Sequence, residues 1–158
     1  MPNAIKWNII EIDDVPDSPV ATIMVTGSRE YVDLKSVTET LVPYFNAFIE
    51  KHPGLPLVLI SGHAQRGADV LAEMVWSEYG PVLTEPAEWQ VHTPDRCKCH
   101  DTNAEYCKLA GIIRNEKMVD VYKPSVCVAF YSDNAENRGT NHAAEYARSK
   151  DVPVRMVR

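Results

Sequence analysis

A chain of 158 residues, 45% hydrophobic and 24% charged, has the composition of a globular protein of ordinary domain size, too apolar for a disordered tail and without the run of roughly 20 apolar residues that spans a membrane. Its 16 basic and 22 acidic side chains give a formal charge of -6, a sign that repels a polyphosphate backbone and disfavours general nucleic-acid binding unless basic residues gather locally. The opening MPNAIKWNIIEIDD carries one lysine and then acids, without the basic, apolar and small-residue succession of a secretory leader, so a cytoplasmic protein forming one domain over residues 1–158 is expected.

In chain order, KWNIIEID reads as an edge strand and VATIMVTG, from Val20, as a strand covered on both faces. A helix follows with Leu34, Val37, Leu41, Phe45 and Phe48 on its apolar side, and Pro43 is expected to kink or divide it. LPLVLISG, from Leu55, is a second buried strand, and Ala68, Leu71, Ala72, Val75 and Tyr79 mark the face of a second helix. GPVLTEPAEW, from Gly80, is a weaker strand, and a third helix carries Leu109, Ile112, Ile113 and Val119. SVCVAFYS, from Ser125, is a strand in which Cys127 acts as a small core hydrophobe. A fourth helix from about Thr140 to Lys150 and a last strand, VPVRMV from Val152, complete the chain. Strands alternating with helices define a doubly wound α/β fold with a mainly parallel sheet and helices on both faces, because right-handed crossovers put them there.

Ligands of such sheets bind beyond the carboxyl ends of the strands, where this chain has TGSRE, SGHAQRGAD, AEWQVH and YSDNAENRGT. Three of these loops place a glycine beside an arginine or a hydroxyl: Gly27-Ser28-Arg29, Gly62 with Arg66-Gly67-Ala68-Asp69, and Arg138-Gly139-Thr140. Glycine lets the backbone approach a ligand, and the N–H groups of a helix start favour anions, phosphate above all. The competing reading makes the glycines tight turns and Ser28, Asp69 and Thr140 helix caps or first-turn residues. AGIIRNEKM adds Arg114, whose fork suits phosphate, and Asn115, whose amide can read a base or ribose edge. Neither G-x-G-x-x-G nor G-x-x-x-x-G-K-[ST] occurs.

TGSRE, SGHAQRGADVLAEMVW, AEW, AGIIRNEKM and VAFYSDNAENRGTNHAAEYARSKDVPV, in that order from about Ile23 to Val157, resemble the YspA-type branch of the SLOG superfamily. Related members are the LOG phosphoribohydrolases and the DNA-processing protein DprA. The branch is common in bacteria and their phages. The resemblance implies a Rossmann-like sheet that binds a nucleotide or nucleotide derivative and senses or processes nucleotide signals. Carried over by motif, Gly27, Ser28 and Arg29 form the first binding loop, Gly62, Gly67 and Asp69 the second, Arg114 and Asn115 the third, and Gly139 and Thr140 the last. LOG enzymes carry a catalytic glutamate three residues after the threonine, where this chain has Ala143. Glu145 lies two residues further, about 200° round a helix, and does not replace it.

HTPDRCKCHDTNAEYC, residues 92–107, reads as an insertion. Cys97, Cys99, His100 and Cys107 supply the number and type of ligands of a structural zinc, with His92, Asp95 or Asp101 as substitutes for one of them; free thiols in a polar loop are the alternative. Three functions stay open. The first is a module binding a nucleotide or ADP-ribose-like molecule. The second is a hydrolase of an N-glycosidic or phosphoester bond, for which Arg114 and Glu145 are catalytic candidates and Asp69, Glu88 and Glu30 further acids or bases. The third is single-stranded DNA binding as in DprA, which the acidic balance and the lack of an aromatic stacking platform oppose. Self-association into a homo-oligomer is compatible with each.

Overall fold

The computed structural model describes residues 9–11, 19–93, 95–97, 106–107, 109–133 and 137–158. Strand β2, Pro19–Gly27, divides its side chains between two cores, Ala21, Ile23 and Val25 facing one and Met24 the other. The same alternation runs through β3, Leu57–Ser61, and β5, Val126–Phe130: Leu57, Leu59, Val126 and Val128 join the first core, Val58, Ile60 and Cys127 the second. A strand must be covered on both faces to bury residues this way, which is why these segments are continuous apolar runs.

The first core is roofed by α1, Leu34–Lys51, and α2, Ala68–Trp76, through Val37, Leu41, Phe48, Ala72 and Trp76. The second is roofed by α3, Ala110–Tyr122, and α4, Arg138–Ser149, through Met118, Val119, Ala143 and Ala147. With β4, Val82–Thr84, and β6, Val154–Val157, the parallel strands follow the order β4-β3-β2-β5-β6. This is a doubly wound, Rossmann-like α/β fold. From β2 the chain winds outward through β3 to β4, then crosses back by α3 to β5 on the other side of β2. The gap beyond the carboxyl ends of β2 and β5 is therefore the switch point at which ligands bind in such sheets.

Several local expectations are corrected. Strand β1, Ile9–Glu11, has one neighbour, as an edge strand does, but that neighbour is the central strand: β1 runs antiparallel to Pro19–Ala21 at the amino end of β2. Pro43 does not divide α1, which continues through it to Lys51; the position is exposed, where water can satisfy the carbonyl that proline leaves unpaired. Its buried face is Val37, Thr40, Leu41, Tyr44 and Phe48, while Leu34 is exposed in the first turn, where Asp33 accepts the Ser36 N–H at 3.0 Å. In α3, Ile112 and Ile113 are only half-buried, because Ala110, Asn115, Met118 and Val119 face inward instead. Tyr79 lies beyond α2 and is exposed, and α4 begins at Arg138, which puts Gly139 and Thr140 inside its first turn. No helix among the described residues is long and apolar enough to cross a membrane.

Candidate functional site

Ser28 knots the loops at the switch point. Its N–H donates to the Phe130 carbonyl at 2.9 Å, its carbonyl accepts from Ala68 N–H at 3.1 Å, and its Oγ accepts from Glu30 N–H at 3.1 Å. The buried hydroxyl thus closes its own turn. Around this knot the glycines make room for protein. At Gly67, with φ at 86°, a Cβ would strike the Ser28 carbonyl and the Arg29 backbone. At Gly62 it would lie 2.5 Å from Arg114 Nη1. A Cβ on Gly27 would collide with that of Ala68. Gly139 alone among the four loop glycines has nothing within 4 Å, so here the backbone is open to a visitor.

A cleft of about 500 Å³ opens between these loops. Its lining gathers Gly27, Ser28, Arg29, Arg66, Asp69, Arg114, Asn115, Gly139 and Thr140, all singled out in the sequence. Gly62 lines an adjoining cleft of about 530 Å³ that shares Arg29, Arg66, Trp89 and Arg114 with the first. Gly67 lies beneath the loops as their spacer.

The arginines differ in their engagements. Arg66 pairs with Glu30 at 2.6 Å on the rim. Arg114 is held rigidly: Nη1 donates to the Gly62 carbonyl at 2.6 Å and Nε to Asn115 Oδ1 at 2.9 Å. Burial lowers the pKa of its guanidinium, opposed first by the nearby Asp69. Asn115, itself buried, carries the contact on by donating from Nδ2 to the Gly139 carbonyl at 3.4 Å, so α3 and the start of α4 are coupled through the cleft floor. Arg29 forms no ion pair among the described residues and sits 5.9 Å from the centre of the Trp89 ring.

Asp69 is the cleft's perturbed acid. Burial pushes its carboxyl up from 3.8 to about 6, against the Ala64 N–H that it accepts at 3.1 Å and the attraction of Arg114 and Arg29. The other proposed carboxylates are placed differently. Glu30 lines the cleft but is tied to Arg66, Glu88 belongs to a small neighbouring pocket with Lys117, and exposed Glu145 lines no part of the cleft. Ala143, the position that the resemblance to LOG enzymes sets against their glutamate, is fully buried in the second core with Met24, Ile60 and Met118.

Trp89 and His142 also line the cleft and were not singled out in the sequence. Trp89 stacks on Tyr106 with centroids 5.0 Å apart and planes within 3°, which corrects the expectation that the chain lacks an aromatic platform: the two rings meet only through the fold. Its signal was the lone tryptophan of AEW in a strand-end loop. His142 lies two residues past Thr140, its Nδ1 buried without a partner among the described residues.

Outside the cleft, His92, Cys97 and Cys107 bring their ligand atoms within 4.8 Å of one another. Cys97 and Cys107 thus meet as expected, with His92 in the substitute's role; Asp95 is exposed and outside the group, and Cys99, His100 and Asp101 lie outside the described residues. Cys127 is a core thiol, pushed by burial up to about 12.

No protein-family model, curated protein or solved structure matches the chain. The chemistry of the cleft therefore carries the functional reading.

Proposed function

We propose that the protein is a cytoplasmic binding module for a nucleotide or nucleotide derivative of the ADP-ribose kind, and a YspA-type member of the SLOG superfamily. One observation carries the reading: Arg29, free of ion pairs among the described residues, lies against Trp89 in the same cleft as the open backbone of Gly139. A cation, an aromatic ring and a helix start are what a phosphate joined to a base requires. The clefts on either side of Arg29 and Trp89 give a two-part ligand room for both halves, within the usual 300–1,000 Å³ range of about one ligand site each. The net charge of -6 does not oppose this, since arginines gather at the cleft. The test is a thermal-shift panel of mono- and dinucleotides. A true ligand at 100 times its dissociation constant stabilises by about 2.7 kcal/mol. A panel without any shift would remove the proposal.

A second reading, hydrolysis of an N-glycosidic or phosphoester bond in that ligand, is favoured by Asp69. A buried carboxyl that titrates near 6 inside a cleft is poised for general acid–base work. Incubating nucleoside monophosphates with wild type and with Asp69→Asn, followed by chromatography for free base, tests it. Release by the wild type that the variant lacks would establish the enzyme.

A further inference from the structure

We infer that His92, Cys97 and Cys107 form a zinc site that clamps the Trp89 loop to the start of α3. Cys97 lies in the loop leaving β4 and Cys107, ten residues on, just before α3, and only the meeting of these two segments creates the ligand set. Cys97 Sγ lies 3.7 Å from His92 Nδ1. A tetrahedral zinc with ordinary bond lengths holds a thiolate and an imidazole nitrogen about 3.6 Å apart, so the pair already has the edge length of a coordination tetrahedron. Two thiolates and an imidazole select zinc over magnesium or calcium, whose ligands are oxygens. On binding, both thiols lose their protons to solvent and the imidazole binds neutral, leaving one coordination position for a further donor.

The backbone around the three ligands is built to hold them. Cys97 N–H donates to the Thr93 carbonyl at 2.8 Å, which turns the chain back between His92 and Cys97. Cys107 N–H donates to the Trp89 carbonyl at 2.6 Å, and Ala110 N–H to the Cys107 carbonyl at 3.2 Å. Cys107 is completely buried, and Arg96 pairs with Glu116 of α3 at 2.5 Å on the outside. A metal here joins the loop bearing Trp89 to the helix bearing Arg114, and its job is to fix one wall of the cleft. The metal's place does not depend on what the cleft binds.

The experiment is metal analysis and native mass spectrometry of protein purified without chelator, with hydrogen exchange before and after chelation. About one zinc per chain is expected, falling more than about tenfold in Cys97→Ser, Cys107→Ser and His92→Ala, and unchanged in Cys127→Ala, whose thiol lies in the core. Chelation should speed exchange at residues 89–97 and 106–111 while β2 and β5 stay protected. Should the ligand variants fail to fold, cobalt loading of the wild type replaces them, with visible d–d bands and thiolate charge transfer expected. Protein that takes up neither zinc nor cobalt overturns the site, as does zinc retained without Cys97 and Cys107. A Cys97–Cys107 disulfide, seen as a mass lower by two hydrogens in the freshly isolated chain, would do so as well.

Discussion

The guanidinium of Arg114 lies directly over Gly62, donating to its carbonyl at 2.6 Å and leaving no space for a side chain there. A Cβ at Gly62 would stand 2.5 Å from Nη1, far inside contact distance, so Gly62→Ala must displace the guanidinium from its hydrogen bonds to Gly62 and Asn115. We expect a loss of about 1–3 kcal/mol of stability, as for other overpacked sites. The same alanine placed in an Arg114→Ala background should cost much less, because the clash is gone. Urea titration of the two single variants and the double measures this coupling. Additive losses would mean that Gly62 matters for some reason other than Arg114.

Asp69 should make stability depend on pH in an unusual direction for a carboxylate. Its folded pKa of about 6 lies above the ordinary 3.8, so the fold holds this proton more tightly than the unfolded chain does. The resulting stabilisation is complete below 3.8 and is lost as pH rises through about 6. Asp69→Asn keeps an oxygen for the Ala64 N–H and never ionises. It should therefore gain on the wild type by on the order of 2–3 kcal/mol as pH rises from 4 to 8. Denaturation of both proteins across that range gives the difference, and a constant gap would show that Asp69 ionises as freely as an exposed acid.

A glutamate placed at Ala143 should not create LOG-type cleavage. Ala143 is buried against Met24, Ile60 and Met118, so Ala143→Glu would drive a carboxylate into an apolar core. A melting temperature well below the wild type, by more than about 4 kcal/mol of stability, is expected. Glu145→Gln, on the exposed side of α4, should stay within about 0.5 kcal/mol. A stable Ala143→Glu protein that releases free base from nucleoside monophosphates would reverse this assignment.

The sheet was legible because burial on both faces leaves a direct trace in sequence: Val126 to Phe130 is apolar at every position, and each residue is buried. The switch-point residues were legible by position, since Gly27, Arg29, Asp69 and Thr140 stand at strand ends or in the first turns of helices and Arg114 one turn into α3, and all five line one cleft. What each glycine does was not legible. Whether Gly62 faces a ligand or Arg114 depends on a contact between residues 52 positions apart. Trp89 escaped notice because its significance arises only when the Cys107 segment returns to the loop after β4, the same return that turns His92 from a substitute ligand into a member of the group with Cys97 and Cys107. A short strand such as β1 reads as an edge, but that the strand it borders is the central β2 is set by a pairing its own residues do not reveal.

Trp89 and Arg29 should separate the two halves of a ligand. Arg29 approaches the ring to 5.9 Å, close enough for its charge to serve both the ring and a bound phosphate. Trp89 stacks on Tyr106, and the absence of a side chain at Gly111, where a Cβ would come within 3.0 Å of the ring, lets α3 pass beneath it. If the ring meets a base, Trp89→Ala should weaken nucleotide binding by about 1–3 kcal/mol and Trp89→Phe by less, since each base offers a face to any aromatic ring. Neither should alter the affinity for inorganic pyrophosphate, which has no base. Arg29→Ala should weaken nucleotide and pyrophosphate alike, by an amount that shrinks as salt is raised. Calorimetric titration of both ligands against the three variants reads all of this. Equal losses for nucleotide and pyrophosphate in Trp89→Ala would mean that the ring only props up Arg29, and the base would then have to lie elsewhere in the cleft.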